Sequence, residues 1–401
     1  MTRFVPLVLA LLAALTSQSA LAQQPAVPTI LISIDGFRPD YLGSGNTPHL
    51  DALAARGTIA EMRPSFPTKT FPNHTAMITG RIPDHSGIVS NNMIDPMRPG
   101  KSFSLGDARQ ALDAFWWDQV EPLWVTAEKA GVRAATMFWP GSEVAIRGVR
   151  PQDWARYDEH VGNLQRVNTV LDWMRRPADI RPRFVTLYFE SVDTAGHRHA
   201  AGSAELDAAI ANVDAAIGRL VAGLAAMDRP ANIVVVSDHG MAAVSPERVV
   251  QLDELIERAA YVAVDTGPFA AIEPAVGTDE RVFDALLRPH EHMQCWRKAD
   301  IPPHFRYGTH ARVAAIFCLA ENGWSILSGP AEYPLAGGSH GWDNQWDEMR
   351  ALFIAAGPSI GQGAHQPFDN VDVYPLLARL IGVAPLASDG DAATLAGIVR
   401  R

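Results

Sequence analysis

Thr29-Ile30-Leu31-Ile32-Ser33-Ile34-Asp35-Gly36 is an apolar run that stops abruptly at an acid and a glycine. Six residues without a regular polar face suit a strand covered on both sides, and the Asp-Gly marks a turn leaving its carboxyl end. The same pattern recurs at residues 133–138, at 184–189 before Glu190, at 233–236 before Ser237-Asp238-His239-Gly240, and at 351–354 before Gly357-Pro358. Helical patterns fill the intervals, at 47–56, 122–130, 204–227 and 371–381. The alternation predicts an α/β fold with a largely parallel central sheet and helices on both faces. Reacting groups in such sheets gather outside the carboxyl ends of the strands. Asp35, Asp193, His197, Asp238, His239 and His340 all follow or approach predicted strand ends, so one rim is expected to hold them.

A hydroxyl stands among these acids and imidazoles. In Pro67-Thr68-Lys69-Thr70-Phe71-Pro72-Asn73-His74, proline is tolerated only in a first helical turn, which predicts a helix from Phe71 with Thr70 at the cap position. Free N–H groups there favour an anion such as phosphate. An isolated Thr-x-Pro is usually no more than a helix cap. The surrounding donors change that reading. Asp193 and His197 lie four apart, as one helical turn requires, and Gly240 permits the sharp turn that Asp238-His239 needs to serve one ion. Aspartate and histidine suit zinc, and two such groups can build a two-metal site with Thr70 as nucleophile.

Composition narrows the class further. One positive charge, an apolar run and Ala20-Leu21-Ala22 read as a secretory signal peptide at residues 1–22, leaving residues 23–401 as the mature chain. The expected location is outside the cytoplasm, in a bacterial periplasm or secreted. No later stretch reads as a membrane span, so no membrane anchor is expected after cleavage. The net charge is -10, one unit more negative once Arg3 is removed. An acidic chain does not attract nucleic acid through its overall field, so no stable nucleic-acid partner is expected and phosphate chemistry must be organised locally by metal ions. Cys295 and Cys318 are the only cysteines; export permits them to pair, and two buried thiols are the alternative.

Ile32-Ser33-Ile34-Asp35-Gly36-Phe37-Arg38, the segment around Thr70, Gly87-Ile88-Val89-Ser90-Asn91-Asn92-Met93, Ser237-Asp238-His239-Gly240-Met241 and His340-Gly341-Trp342-Asp343-Asn344 together carry a resemblance. They resemble, in order, the nucleotide pyrophosphatase/phosphodiesterase family of the alkaline phosphatase superfamily. Trp116-Trp117, Pro122-Leu123-Trp124 and Phe138-Trp139-Pro140-Gly141 extend it over nearly the whole mature chain. It implies one catalytic domain with an alkaline-phosphatase-like fold and two zinc ions per chain. One zinc falls to Asp193, His197 and His340, and the second to Asp35, Asp238 and His239, with Thr70 bridging toward it. Asn91 matches a residue that holds a phosphoryl oxygen, and Phe71 and Tyr188 match aromatics that sandwich a nucleobase. The chain departs from the family's pattern at Thr75, at Val192 and at Ala200-Ala201, none of them a ligand. The implied activity is hydrolysis of nucleotide phosphodiester or pyrophosphate bonds through a phosphothreonine, releasing nucleoside 5'-monophosphates from a small-molecule substrate. The alternative on the same site is a lipid or choline-headgroup phosphodiesterase. His74, Asn73, Lys69, His199 and the tryptophans are expected to be structural or solvated; the oligomeric state is not legible.

Overall fold

The computed structural model describes residues 27–331 and 335–400, so the leader expected at residues 1–22 lies outside the described residues. The principal strands are β1 (Thr29–Ile34), β2 (Thr58–Arg63), β3 (Ala134–Met137), β4 (Phe184–Phe189), β5 (Asn232–Val236), β6 (Tyr261–Asp265), β7 (Phe269–Pro274), β8 (Met293–Arg297), β9 (Ile316–Ala320) and β10 (Ala351–Ala356). The order β2-β10-β5-β1-β4-β3 forms the body of one sheet, extended by short edge strands at Gly363–Ala364, Phe368–Asp369 and Asp153–Trp154. β1 lies between β4 and β5 and parallel to both, with Ile32 opposite Leu187 and Val235. Only β10 runs against its neighbours in this sheet. That reversal matters for the site. The segment entering β10 reaches the rim that the segments leaving β1 and β5 also reach.

The helices associated with this sheet include α1 (Pro48–Arg56), α2 (Thr70–Thr79), α3 (Leu123–Lys129), α4 (Asn163–Arg175), α5 (Ser191–Arg198), α6 (Ala204–Ala226) and α7 (Val373–Ile381). They cover both faces of the sheet, and the alternation of β1 decides which side chain meets which layer. Ile30, Ile32 and Ile34 enter a core with Leu50 and Leu53 of α1, Val167 and Val170 of α4, and Ile210 and Val213 of α6. Leu31 enters the opposite core with Met77 and Ile78 of α2, Leu123 of α3 and Leu377 of α7. Each fully buried aliphatic of this size contributes roughly 1.5–3 kcal/mol. A one-residue slip would exchange the isoleucine face for the Leu31 and Ser33 face, so the register, and with it the position of Asp35, is strongly fixed.

Two expectations need correction. α2 begins at Thr70 rather than Phe71, because the Lys69 carbonyl accepts the first helical bond from the Asn73 N–H at 3.2 Å. α6, contrary to the sequence reading, is by length and apolar composition long enough to cross a membrane. It packs instead on the sheet through Leu206, Ile210, Val213, Ile217 and Leu220, and its buried Asp214 accepts the His49 and Leu50 N–H groups that open α1.

A second, antiparallel sheet of order β6-β7-β9-β8 is not anticipated by the sequence pattern described above. Polar residues break β6 and β8, but Ile316–Ala320 is a buried apolar run as long as that of β5 and is missed by that pattern. Cys295 and Cys318 face one another directly across β8 and β9 and are joined by a disulfide.

Candidate active site

The rim assembles from five segments of chain. Asp35 leaves β1, Asp238 and His239 leave β5, Thr70 opens α2, Asp193 and His197 share one face of α5, and His340 lies in the approach to β10. Local chemistry ties the strand ends together. The Gly36 N–H donates to Asp238 Oδ1 at 3.2 Å, the Phe37 N–H donates to the Ser237 hydroxyl oxygen at 2.8 Å, and that hydroxyl donates to the His239 carbonyl at 2.8 Å. Gly36 has φ 67°, which favours glycine, and a Cβ there would crowd the Asp193 carboxylate at 3.1 Å.

The three imidazoles are oriented in one way. Nδ1 of His197 donates to the Gly338 carbonyl at 2.9 Å, that of His239 to the Gly240 carbonyl at 2.9 Å, and that of His340 to the Thr68 carbonyl at 2.8 Å. A carbonyl can only accept, so Nδ1 carries a proton, and in the neutral ring Nε2 then presents the lone pair, the arrangement in which histidine ligates metals. Those Nε2 atoms face carboxylates: His197 and His340 lie 3.4 Å and 3.7 Å from Asp193 Oδ1. His239 lies 3.0 Å from Asp238 Oδ2 and 3.4 Å from Asp35 Oδ1. The His239 and His340 rings stack at 3.5 Å and join the two groups.

Neutral imidazole lone pairs and carboxylate oxygens cannot hydrogen-bond one another, and the polar balance reflects this. Asp35 Oδ1, Asp193 Oδ1 and Asp238 Oδ2 are buried without any hydrogen-bond partner. Burial first, and then the neighbouring carboxylates, push the carboxyls of Asp35 and Asp238 well above the usual range. Burial holds His340 well below its ordinary value and therefore neutral. Buried acceptors facing one another with no cation among them are costly, and a divalent ion would satisfy every one. The donor set fits a metal.

Donor atoms of Asp193, His239 and His340 lie within 4.8 Å of one another, as do those of Asp35, His74 and Asp238. His74 is nevertheless not a free ligand. Its Nδ1 is held by the Thr70 carbonyl at 2.9 Å and its Nε2 by the Ser33 hydroxyl at 2.8 Å, and burial lowers its pKa to about 3. The structural role expected for it stands, as does that of Asn73, whose amide donates to the Pro67 and Lys69 carbonyls.

Thr70 Oγ1 lies 3.4 Å from His239 Nε2, beside the second donor group. Asn91 is 8 % exposed, and its Oδ1 accepts the Phe71 N–H at 2.9 Å. The acceptor end of that amide is thereby fixed, which leaves its NH₂ as the donor available to a ligand at Thr70. Phe71 packs its ring on Phe103 and Trp117, at 5.7 Å and 5.9 Å between centroids, and remains partly exposed. The Lys69 ammonium sits 5.3 Å over the Phe269 ring.

Tyr188 is placed differently from the expectation. It is 8 % exposed, packed against His74 at 5.2 Å, and its hydroxyl donates to Asp35 Oδ2 at 2.6 Å. A ring so enclosed offers no face to a base; it holds Asp35. The accessible aromatic beside it is Tyr157, 43 % exposed and 6.2 Å from the Tyr188 ring, which the sequence reading missed. Tyr157 sits in the polar stretch Ala155-Arg156-Tyr157-Asp158-Glu159, where a lone aromatic among charges was the one available signal.

An α/β sheet whose rim gathers carboxylates, metal-ready imidazoles and a hydroxyl at a helix N-terminus defines a metal-dependent hydrolase of the alkaline-phosphatase-like fold. The profile of the type I phosphodiesterase / nucleotide pyrophosphatase family matches residues 29–343, and the chain belongs to that family, whose members hydrolyse phosphodiester and pyrophosphate bonds. It is 33 % identical over 395 residues to ectonucleotide pyrophosphatase/phosphodiesterase family member 5 of Homo sapiens, covering 97 % of this chain and 82 % of the relative. It is 35 % identical to bis(5'-adenosyl)-triphosphatase enpp4 of Mus musculus, covering 90 % of this chain and 79 % of the relative. Family member 1 of Mus musculus is longer, and the chain spans 43 % of it. Among solved structures, human family member 5 superimposes with a TM-score of 0.89 at 31 % identity, covering 93 % of this chain and 100 % of that one. An inactive threonine-to-alanine variant of murine member 5, in complex with AMP, gives 0.88 at 32 % identity over the same shares.

Proposed function

We propose that the protein is an exported two-zinc phosphodiesterase/nucleotide pyrophosphatase that releases a nucleoside 5'-monophosphate through a phosphothreonine at Thr70. The observation that carries this reading is the set of orphaned carboxylate oxygens facing freed Nε2 atoms around the Thr70 hydroxyl. Asp193, His197 and His340 would hold one ion, and Asp35, Asp238 and His239 the other, with Thr70 beside it. Bound there, zinc lowers the pKa of a hydroxyl it contacts and neutralises charge developing on a phosphoryl group.

The residues of the chain do the rest. Thr70 Oγ1 forms a bond to phosphorus while the bond to the leaving alcohol or phosphate breaks, and water then cleaves the Thr70–phosphorus bond. The Asn91 NH₂ and the Thr70 N–H donate to the equatorial oxygens, since the Phe71 and Asn73 N–H groups are taken by Asn91 Oδ1 and the Lys69 carbonyl and Pro72 has none; a single donor of this kind is worth about 10²–10³ in kcat. Phe71 and the exposed Tyr157 flank the planar base. The AMP complex of the threonine-to-alanine variant of murine member 5 supports both the nucleotide and the threonine assignments. Residues 23–401 would act as one catalytic unit after removal of the leader.

The test is hydrolysis of a nucleotide diester by purified protein. Activity should vanish on chelation, return with zinc and be absent in a Thr70→Ala variant that still binds zinc. Full activity in the chelated protein would overturn the metal assignment.

A further inference from the structure

The Asn91 amide can act only if its loop is held still; the Leu105 N–H donates to the Asn91 carbonyl at 3.1 Å, and three side chains from in and around the second sheet clamp the rest of the loop. The Arg312 guanidinium donates to the Gly87 carbonyl at 2.7 Å, and the Tyr307 hydroxyl donates to the Val89 carbonyl at 3.1 Å. Asp265, at the end of β6, grips both neighbours of Asn91. Its Oδ2 accepts the Ser90 hydroxyl at 2.6 Å, and its Oδ1 accepts the Asn92 amide at 3.2 Å. Asp265 is 8 % exposed and Ser90 2 % exposed, so the bond between them is sheltered from water, while that to Asn92 is partly so. Residues 90 and 92 are thus pinned by one rigid carboxylate, and Asn91 between them faces the opposite way, toward the N-terminus of α2.

The backbone of β6 is adapted to this. Ala263 pairs with Ile272 and Asp265 with Ala271, so two residues of β6 oppose one of β7. A bulge of this kind turns the next side chain to the other face of the strand, and here it turns Asp265 toward the loop. Without the extra residue, strict alternation would direct that carboxylate away.

We propose that Asp265 is a positioning residue for phosphoryl transfer, acting solely through Asn91, and that the second sheet serves as the buttress of this oxyanion contact. The inference rests on the reading of Asn91 as a phosphoryl-oxygen donor. Asp265→Asn keeps the shape of the side chain but removes its charge and turns one acceptor into a donor, so both contacts persist only if the Ser90 hydroxyl reverses to accept, and the charge-assisted grip is lost either way. Because misplacement by about 1 Å costs on the order of 10²-fold, kcat should fall roughly 10- to 100-fold with KM little changed.

The experiment is a double-mutant cycle on a nucleotide diester with wild type, Asn91→Ala, Asp265→Asn and the double variant, with melting temperature measured for each. Positioning through Asn91 predicts that Asp265→Asn lowers kcat in the parent but not further in Asn91→Ala. The melting temperatures show that each variant is folded under the assay conditions. Multiplying losses in kcat would overturn the inference while leaving the role of Asn91 intact. Full activity in Asn91→Ala would overturn both. Ser90→Ala, which deletes one of the two bonds, provides the same cycle if Asp265→Asn does not fold; it should lower kcat by a smaller factor and likewise add nothing to Asn91→Ala.

Discussion

Replacing Tyr188 by phenylalanine deletes one oxygen and leaves the buried ring in place. That oxygen donates to Asp35 Oδ2 at 2.6 Å, the short distance of a bond to a charged acceptor. Bonds of this type contribute about 1.5–3 kcal/mol, and loss of a comparable partner of a metal ligand typically costs 10- to 100-fold in metal affinity or activity. Tyr188→Phe should therefore weaken zinc binding, measured by competition with a chromogenic chelator, by roughly 10- to 100-fold. At limiting zinc, kcat/KM should fall by the same factor on a nucleotide diester and on a small diester without a base, and excess zinc should restore both. If Tyr188 instead stacked on the base, phenylalanine would serve as well and zinc affinity would not move. Unchanged zinc affinity, or a loss confined to the nucleotide substrate, would refute the assignment.

Three further outcomes follow from the same geometry. Tyr157→Ala should lower kcat/KM on a nucleotide diester by about tenfold or more, as expected for loss of one stacking face, and change a base-free diester much less; equal losses would remove Tyr157 from the base site, and faster turnover of a choline phosphodiester would favour a lipid-headgroup substrate. In chelated protein, carboxyls whose folded pKa is raised contribute stability at low pH that is lost as pH rises through that value. The gap in melting temperature between zinc-loaded and chelated protein should therefore widen as pH rises above about 4, where the carboxyls of the unfolded chain ionise, and a gap independent of pH would contradict the buried-carboxylate account. Replacing Cys295 and Cys318 by serine should cost about 3 kcal/mol, from the loop that the bridge closes, as measured by denaturant unfolding; two titratable thiols in denatured, unreduced protein would refute the bridge.

The parts of this molecule that were legible in the sequence are those written in continuous stretches. β1 and β4 occupy the residues read as apolar runs, because strands buried on both faces carry no competing polar pattern. The rim followed from them, since Asp35 and Asp238 directly succeed such runs. What escaped was set by register and by contacts between distant segments. Tyr188 stands opposite Ser33 in the pairing of β4 with β1, which buries it beneath Asp35, and nothing in its own neighbours reveals that pairing. The opposed direction of β10 explains why His340, which precedes a strand, joins residues that follow strands. The bulge that aims Asp265 has no local signature either, because its partner on β7 selects it. Thr70 was misplaced by one helical position, a consequence of the Lys69 carbonyl taking the first helical bond.

The central claim is that Thr70 carries the phosphoryl group during turnover. The stereochemical course at phosphorus tests it most directly, with a nucleotide diester made chiral by sulfur and hydrolysed in oxygen-18 water. Two successive in-line displacements, the first by Thr70 and the second by water, invert the centre twice, so the account predicts net retention. Net inversion would mean that water attacks the substrate directly, and Thr70 would then be the first residue of α2 and nothing more.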